Sequence, residues 1–320
     1  MHARIPNHGA YPSICLRLSI DLLALLVLVT LSWSCSPSLQ PEPPVIWTLG
    51  QVTAAEDVYG NFYAYLPTDV SPGSPILVLV HGTPSADQSA EQSAQDFIAA
   101  WQDFAAGHGW ILIAPAFSQE DFSSRLGDHA LGGYRGLFGR EIMADDWVLR
   151  LVQAYQEAYN LSDRQFYLYG HSAGGQFTAR FLVTHPDLLK RAVITAAATY
   201  PQPDTQITWP FGMGELDADI EWDEETTTHV RIAPDKQKWL TATQVPLMVI
   251  VGLNDTGELP AYPGQKGRNR FVTGRRWVQA MQEFARENGL ESQIKFEMIP
   301  GKGHTMIGLL PYTQDALLSP

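Results

Sequence analysis

Cysteine is nearly absent from this chain. Only Cys15 and Cys35, both close to the N-terminus, carry a thiol among 320 residues. The main body therefore has no disulfide framework, no cysteine-based zinc site, no iron–sulfur cluster and no cysteine nucleophile. Basic residues are also scarce, at 21 Lys and Arg against 34 Asp and Glu, for a formal net charge of −13. A surface that tracks phosphates needs clustered Lys and Arg, so no nucleic-acid partner is expected. A membrane-length hydrophobic run is missing too. The uncharged stretch LLALLVLVTL covers residues 22–31, whereas a span needs ~20 apolar residues. What the chain does have is apolar material: 45% of it is hydrophobic and 17% charged. That is enough for a large core.

The short apolar run has a context of its own. Arg4 and Arg17 precede it and Ser32 and Ser34 follow it, which is the charged, apolar and small-residue order of an export signal. Asp21 at the edge of the apolar run departs from that order. Cys35 ends the sequence LSWSC, a position that resembles the lipid-modified cysteine of bacterial lipoproteins, with Ser32 and Trp33 where small apolar residues usually stand. Residues 1–34 are read as a leader and Cys35 as a candidate membrane anchor. Residues 35–44 are read as a proline-rich tether, extended because proline favours polyproline II. The expected location is outside the cytoplasm: secreted, periplasmic or lipid-anchored at the cell envelope.

From residue 45 to 320 the chain alternates strand-like and helix-like patterns. Val45–Leu49 and Phe62–Leu66 are short β-rich runs, with a turn expected at Gly60-Asn61. Ile76–Val80, Ile111–Ala114, Phe166–Tyr169, Ala192–Thr195 and Leu247–Val251 are continuous apolar runs, as strands buried on both faces require. Ile294–Ile299 alternates instead, as an edge strand would. Trp147, Val148, Leu151, Val152, Tyr155 and Tyr159 recur at helical spacing, as do Trp277, Val278, Met281, Phe284 and Ala285. Two short antiparallel strands followed by repeated strand–helix units predict a mostly parallel, eight-stranded sheet with helices on both faces. Residues 199–244 break the alternation with Pro201, Pro203 and Pro210 and an acidic run. An insertion after a strand end is expected over the ligand crevice, as a cap.

The chemistry gathers at strand ends. Phe166–Tyr169 runs into Gly170-His171-Ser172-Ala173-Gly174, a G-x-S-x-G sequence in its required strand–turn–helix context. That context makes Ser172 the candidate nucleophile. A carboxylate and then a histidine should follow in chain order. Asp255, in Gly252-Leu253-Asn254-Asp255, comes just past an apolar strand, and Glu258 is the reserve. His304 stands in Pro300-Gly301-Lys302-Gly303-His304, where two glycines free the loop to return over the crevice. The strand ending at Val80 leads into His81-Gly82-Thr83-Pro84. Pro84 has no N–H, so Thr83 is the expected oxyanion donor beside Ala173.

These four motifs in order, HGT, GHSAG, GLND and GKGH, make the chain resemble the α/β-hydrolases from about residue 45 to the end. Within that superfamily the overall pattern is similar to secreted bacterial esterases of the polyhydroxyalkanoate-depolymerase and feruloyl-esterase group. The resemblance implies a carboxylic-ester hydrolase acting through an acyl-enzyme, on a small-molecule or polymeric ester, with no cofactor. Trp209, Phe211 and Met213 are spaced by two in the insertion. They suit an apolar acyl group or, equally, glue the insertion to the body. The acidic residues Asp217, Asp219, Glu221 and Asp223 lack the glycine and terminal glutamate of an EF-hand loop and read as a solvated loop with no metal. A serine peptidase of the same fold and an inactive surface binding protein are the alternative functions.

Overall fold

The computed structural model describes residues 48–123 and 132–319. The leader, Cys35 and the tether lie outside the described residues. The chain divides at Pro43/Pro44, and the unit Pro44–Pro320 carries the sheet and the candidate site.

Among the described residues, eight strands form one sheet in the order β1 (Val52–Asp57), β2 (Gly60–Tyr65), β4 (Ile111–Pro115), β3 (Ile76–Val80), β5 (Phe166–His171), β6 (Leu189–Thr195), β9 (Leu247–Gly252), β10 (Ile294–Ile299). β1 and β2 pair antiparallel, as do β2 and β4. Every other pair in the sheet is parallel.

The continuous apolar runs have a simple cause. Alternate residues of a strand face opposite sides, and here both sides are covered. Ile76, Val78 and Val80 enter one core with Trp147, Phe177 and Trp277. Leu77 and Leu79 enter the other with Trp101 and Leu309. The first core lies under α3 (Ala144–Ala158), α4 (Ala173–Thr184) and α6 (Arg270–Glu287); the second lies under α1 (Ala90–His108) and α7 (Met306–Leu318). Ser89 caps α1 by accepting from Gln92 N, and Gly109 closes it in the left-handed conformation, φ 70°. The short helix α2 (Gln119–Phe122) precedes residues outside the description.

Three features differ from the pattern read in sequence. Among the described residues the first strand is Val52–Asp57, which has no apolar run because its Thr, Ala, Glu and Asp side chains sit on a half-exposed edge; of the run expected at Val45–Leu49, residues 45–47 lie outside the described residues. The turn falls at Val58–Tyr59, and Gly60 already opens β2. The acidic run is a strand rather than a loop. β7 (Leu216–Glu221) pairs antiparallel with β8 (Thr227–Ile232), with Asp217, Asp219 and Glu221 on its exposed face and Ile220 buried.

That hairpin and α5 (Lys236–Ala242) belong to the 199–244 insertion. The hairpin docks on the segment before α3: Arg140 pairs with Asp223, and Thr228 Oγ1 donates to Arg140 O. Its apolar residues Trp209, Met213, Ile220, Trp222, Val230 and Trp239 are buried in the first core, and Tyr200 near its start stacks on Trp277 of α6.

Candidate active site

Four loops meet at the C-terminal ends of parallel strands: after β3, β5, β9 and β10. That is where an open α/β sheet presents ligand-binding residues.

The β5 loop is the tightest. Ser172 has φ 54° and ψ −111°, a sparsely populated conformation for a residue with a side chain. The flanking glycines permit it. A Cβ at Gly174 would overlap the Val80 carbonyl, and one at Gly170 would overlap the Gly174 carbonyl. The strained serine is held by its N–H on Thr195 O (2.8 Å) and its carbonyl on Gln176 N (3.1 Å).

The β9 and β10 loops are laced together. Asn254 N donates to Lys302 O (2.8 Å) and Leu253 N to Ile299 O (2.9 Å). Gly252 allows the crossing, since a Cβ there would overlap the Lys302 and Gly303 carbonyls. Gly301 turns the chain with φ 73°. The lacing brings His304 between the other two residues. Its Nδ1 lies 2.7 Å from Asp255 Oδ2 and its Nε2 3.2 Å from Ser172 Oγ. A carboxylate only accepts, so Nδ1 carries the proton and Nε2 accepts from the serine hydroxyl.

Asp255 has a second partner that the sequence did not reveal. Arg270, the first residue of α6, places Nη1 3.2 Å from Asp255 Oδ1. The Asp255 side chain is 3% exposed. Burial pushes its carboxyl up. The hydrogen bond from His304 and the charges of His304 and Arg270 outweigh that and hold it below the usual carboxylate range.

The β3 loop is fixed by His81. Its Nδ1–H donates to Gly82 O (2.6 Å), and its Nε2 accepts from Phe117 N (3.1 Å). Both ring nitrogens are used by a neutral imidazole, and complete burial lowers its pKa to about 4. Tyr134 Oη donates to His81 O (3.3 Å), and Arg135 Nη2 donates to Thr83 Oγ1 (2.7 Å). The loop lies against the nucleophile: a Cβ on Gly82 would stand 3.4 Å from Ser172 Cβ. Ala173, the other expected donor, opens α4. His171 sits beneath this group, with Nδ1 2.8 Å from Thr195 Oγ1 and its ring 5.1 Å from that of His304. Burial lowers its pKa to about 3, aided by the His304 charge, so it adds no charge of its own.

A groove of about 540 Å³ opens beside these residues, between α1 and the start of α7. Gly82, Thr83, Phe97, Ala100, His171 and Met306 line it.

The structure thus brings Ser172, Asp255, His304, Thr83 and Ala173 to one place. Trp209, Phe211 and Met213 do not line that groove and are buried, at 1%, 2% and 7% exposure. Trp209 Nε1 donates to Gly136 O (3.1 Å), Met213 joins the core, and Phe211 stacks on Tyr262. Their surroundings are those of packing residues. Sequence reasoning passed over Arg135, Tyr134 and Arg270, which carry no local motif. Among the described residues, no group of three or more His, Cys, Asp or Glu could hold a metal ion.

The profile described as the alpha/beta hydrolase family matches residues 77–316, a stretch that contains all four loops. The chain belongs to the alpha/beta hydrolase family. Two solved hydrolases share the fold. Poly(aspartic acid) hydrolase-1 from Sphingomonas sp. KT-1 superposes with TM-score 0.66 and 21% identity, over 84% of this chain and 98% of that one. The poly(3-hydroxybutyrate) depolymerase from Bordetella parapertussis gives 0.65 and 20%, over 84% and 88%. A curated relative, a bifunctional acetylxylan esterase/xylanase of Neocallimastix patriciarum, is 25% identical over 121 residues. That match spans 37% of this chain but 15% of the relative's length.

Proposed function

We propose that this alpha/beta hydrolase cleaves carboxylic esters through an acyl-enzyme on Ser172. The observation that carries the reading is the unbroken chain from Ser172 Oγ through His304 to Asp255, at 3.2 and 2.7 Å. Ser172 Oγ attacks the ester carbonyl while its proton passes to His304 Nε2. Asp255 orients the imidazole and stabilises its cation. The tetrahedral intermediate collapses, the carbon–oxygen bond to the alcohol breaks, and His304 returns the proton to the departing oxygen. Water then repeats the sequence on the acyl-enzyme and releases the acid. The N–H groups of Thr83 and Ala173 receive the oxyanion, each contributing roughly 2.7–4 kcal/mol to the transition state.

Arg270 acts in this scheme as a positioning residue, holding the carboxylate oxygen that His304 does not use. The groove between α1 and α7 supplies space beside the reacting carbonyl, and its volume suits a substrate group of moderate size. The curated relative is named as an acetylxylan esterase, which favours esters over peptide bonds. Export, and anchoring through Cys35, belong to the same reading and rest on the leader sequence.

The test is a panel of p-nitrophenyl esters and aminoacyl nitroanilides, with wild type beside Ser172→Ala. Ester turnover in the wild type, lost in Ser172→Ala together with labelling by a fluorophosphonate probe, is the expected outcome. Preference for the anilides would make the enzyme a peptidase. Labelling that survives in Ser172→Ala would move the nucleophile elsewhere.

A further inference from the structure

A catalytic imidazole has to be held at more than one point. The contact of His304 Nδ1 with Asp255 Oδ2, at 2.7 Å, fixes one atom of the ring. The ring can still swing about that atom, and Nε2 lies on its far side. His304 follows two loop glycines, Gly301 and Gly303, and its side chain is 41% exposed. Holding Nε2 at 3.2 Å from Ser172 Oγ calls for a second contact on the ring.

His171 supplies it. This residue ends β5, next to the nucleophile, and is 6% exposed. Its ring centroid lies 5.1 Å from that of His304, with 44° between the planes. The ring of Phe97, on α1, lies 6.5 Å from it as well. A Cβ on Gly82 would stand 3.7 Å from His171 Cδ2, so the same ring borders the oxyanion loop.

The other side of His171 is anchored on Thr195. His171 Nδ1 lies 2.8 Å from Thr195 Oγ1, and Tyr169 Oη lies 3.1 Å from the same oxygen. Thr195 ends β6 and is completely buried. Its carbonyl accepts from Ser172 N at 2.8 Å. One residue thus holds the nucleophile through its backbone and the support of the base through its side chain. Ser172 and His304 are joined by this path independently of the bond between their side chains.

The charge of the support matters too. Burial, and then the charge of His304, lowers the pKa of His171 to about 3. A cation here would oppose the imidazolium that forms on His304 during acyl transfer. A neutral ring gives the contact without the repulsion.

We propose that His171 is a positioning residue for acyl transfer: its neutral ring backs the His304 imidazole, and its bond to Thr195 ties that ring to the strand end that holds the Ser172 backbone. The inference rests on the ester-hydrolase reading above and adds a residue that acts through His304.

The test measures kcat and KM for p-nitrophenyl acetate with the full chain, in wild type, His171→Leu, His171→Asn, Thr195→Val and the double variant His171→Leu/Thr195→Val. Rates are expressed per site labelled to completion by the fluorophosphonate, so unfolded protein does not count. In His171→Leu, kcat should fall about ten- to hundredfold with KM within about twofold, the loss expected when a reacting group is misplaced by about an ångström. Thr195→Val keeps the backbone bond to Ser172 and removes only Oγ1. It should lower kcat in the same sense, and adding His171→Leu to it should cost little more. His171→Asn, which keeps a polar group near the position of Nδ1, should lie between wild type and His171→Leu. Unchanged kcat in His171→Leu overturns the proposal. So does a rise in KM with kcat unchanged, which would make His171 a wall of the groove alone. So do fully additive losses in the double variant, which would mean that His171 does not act through Thr195. If His171→Leu does not fold, Thr195→Val decides, and a kcat per site equal to wild type overturns the proposal. Failure of the underlying reading looks different: wild type turns over no ester, and Ser172 stays unlabelled by the fluorophosphonate.

Discussion

Replacing Arg270 with methionine tests the most specific electrostatic contact in the site. Arg270 Nη1 stands 3.2 Å from Asp255 Oδ1, with the two side chains 20% and 3% exposed. Two unit charges at that separation attract by about 5 kcal/mol at an effective dielectric of ~20. Desolvation of both groups returns a large part of this. A net coupling of about 2–3 kcal/mol is therefore expected between the two residues. Methionine keeps much of the side-chain volume and removes the charge. Urea unfolding of wild type, Arg270→Met, Asp255→Asn and the double variant gives the coupling directly. Arg270→Met should cost about 2–3 kcal/mol alone and much less once Asp255 is already neutral.

The pH dependence has a definite sign. The folded carboxyl lies below its ordinary value, so its contribution is fully present above the ordinary carboxylate range. It is lost as pH falls through the folded value. In turnover, Arg270→Met should lower kcat with little change in KM, because it loosens the carboxylate that orients His304 and leaves the groove intact. A coupling below about 0.5 kcal/mol, which is within ordinary non-additivity for distant sites, would refute the reasoning.

The remaining predictions concern backbone and packing. Gly174→Ala should yield little folded protein, because its Cβ would overlap the Val80 carbonyl. Gly303→Ala, with nothing within 4 Å of the added Cβ, should melt close to wild type. The pair is read by thermal unfolding, and equal melting points would show that the elbow tolerates a side chain. Trp209→Ala should destabilise by about 3–5 kcal/mol in urea unfolding, as expected for a buried indole. Trp209→Phe, which loses the bond to Gly136 O, should cost about 1 kcal/mol more than packing alone explains. A stable Trp209→Ala variant with altered acyl preference would instead make Trp209 a substrate contact.

The central strands were legible in the sequence because each is covered on both faces, which forces a continuous apolar run such as Ile76–Val80. β1 went unassigned because its edge position asks for no such run. α1 and α7 went unassigned because the sequence of α1 is rich in small and polar residues, Ala and Gln, and α7 carries Pro311 inside it. The insertion was read as a cap from its position in the chain; which of its residues are buried, Trp209 and Met213 among them, depends on the core they join.

The division for the site is sharper. The sequence alone determined the nucleophile elbow, since Gly170, Ser172 and Gly174 stand in a G-x-S-x-G between a strand and a helix, although the carbonyl that forbids a side chain at Gly174 belongs to the distant Val80. It also determined the order of the acid and histidine loops at strand ends. Tertiary structure alone decided the partners that act at a distance. His304 meets Ser172 across 132 positions, Arg135 meets Thr83 across 52, and Arg270 meets Asp255 across 15. Charge pairing in a buried site depends on which loops the strand order brings together, and a single chain read in one dimension carries no term for that distance.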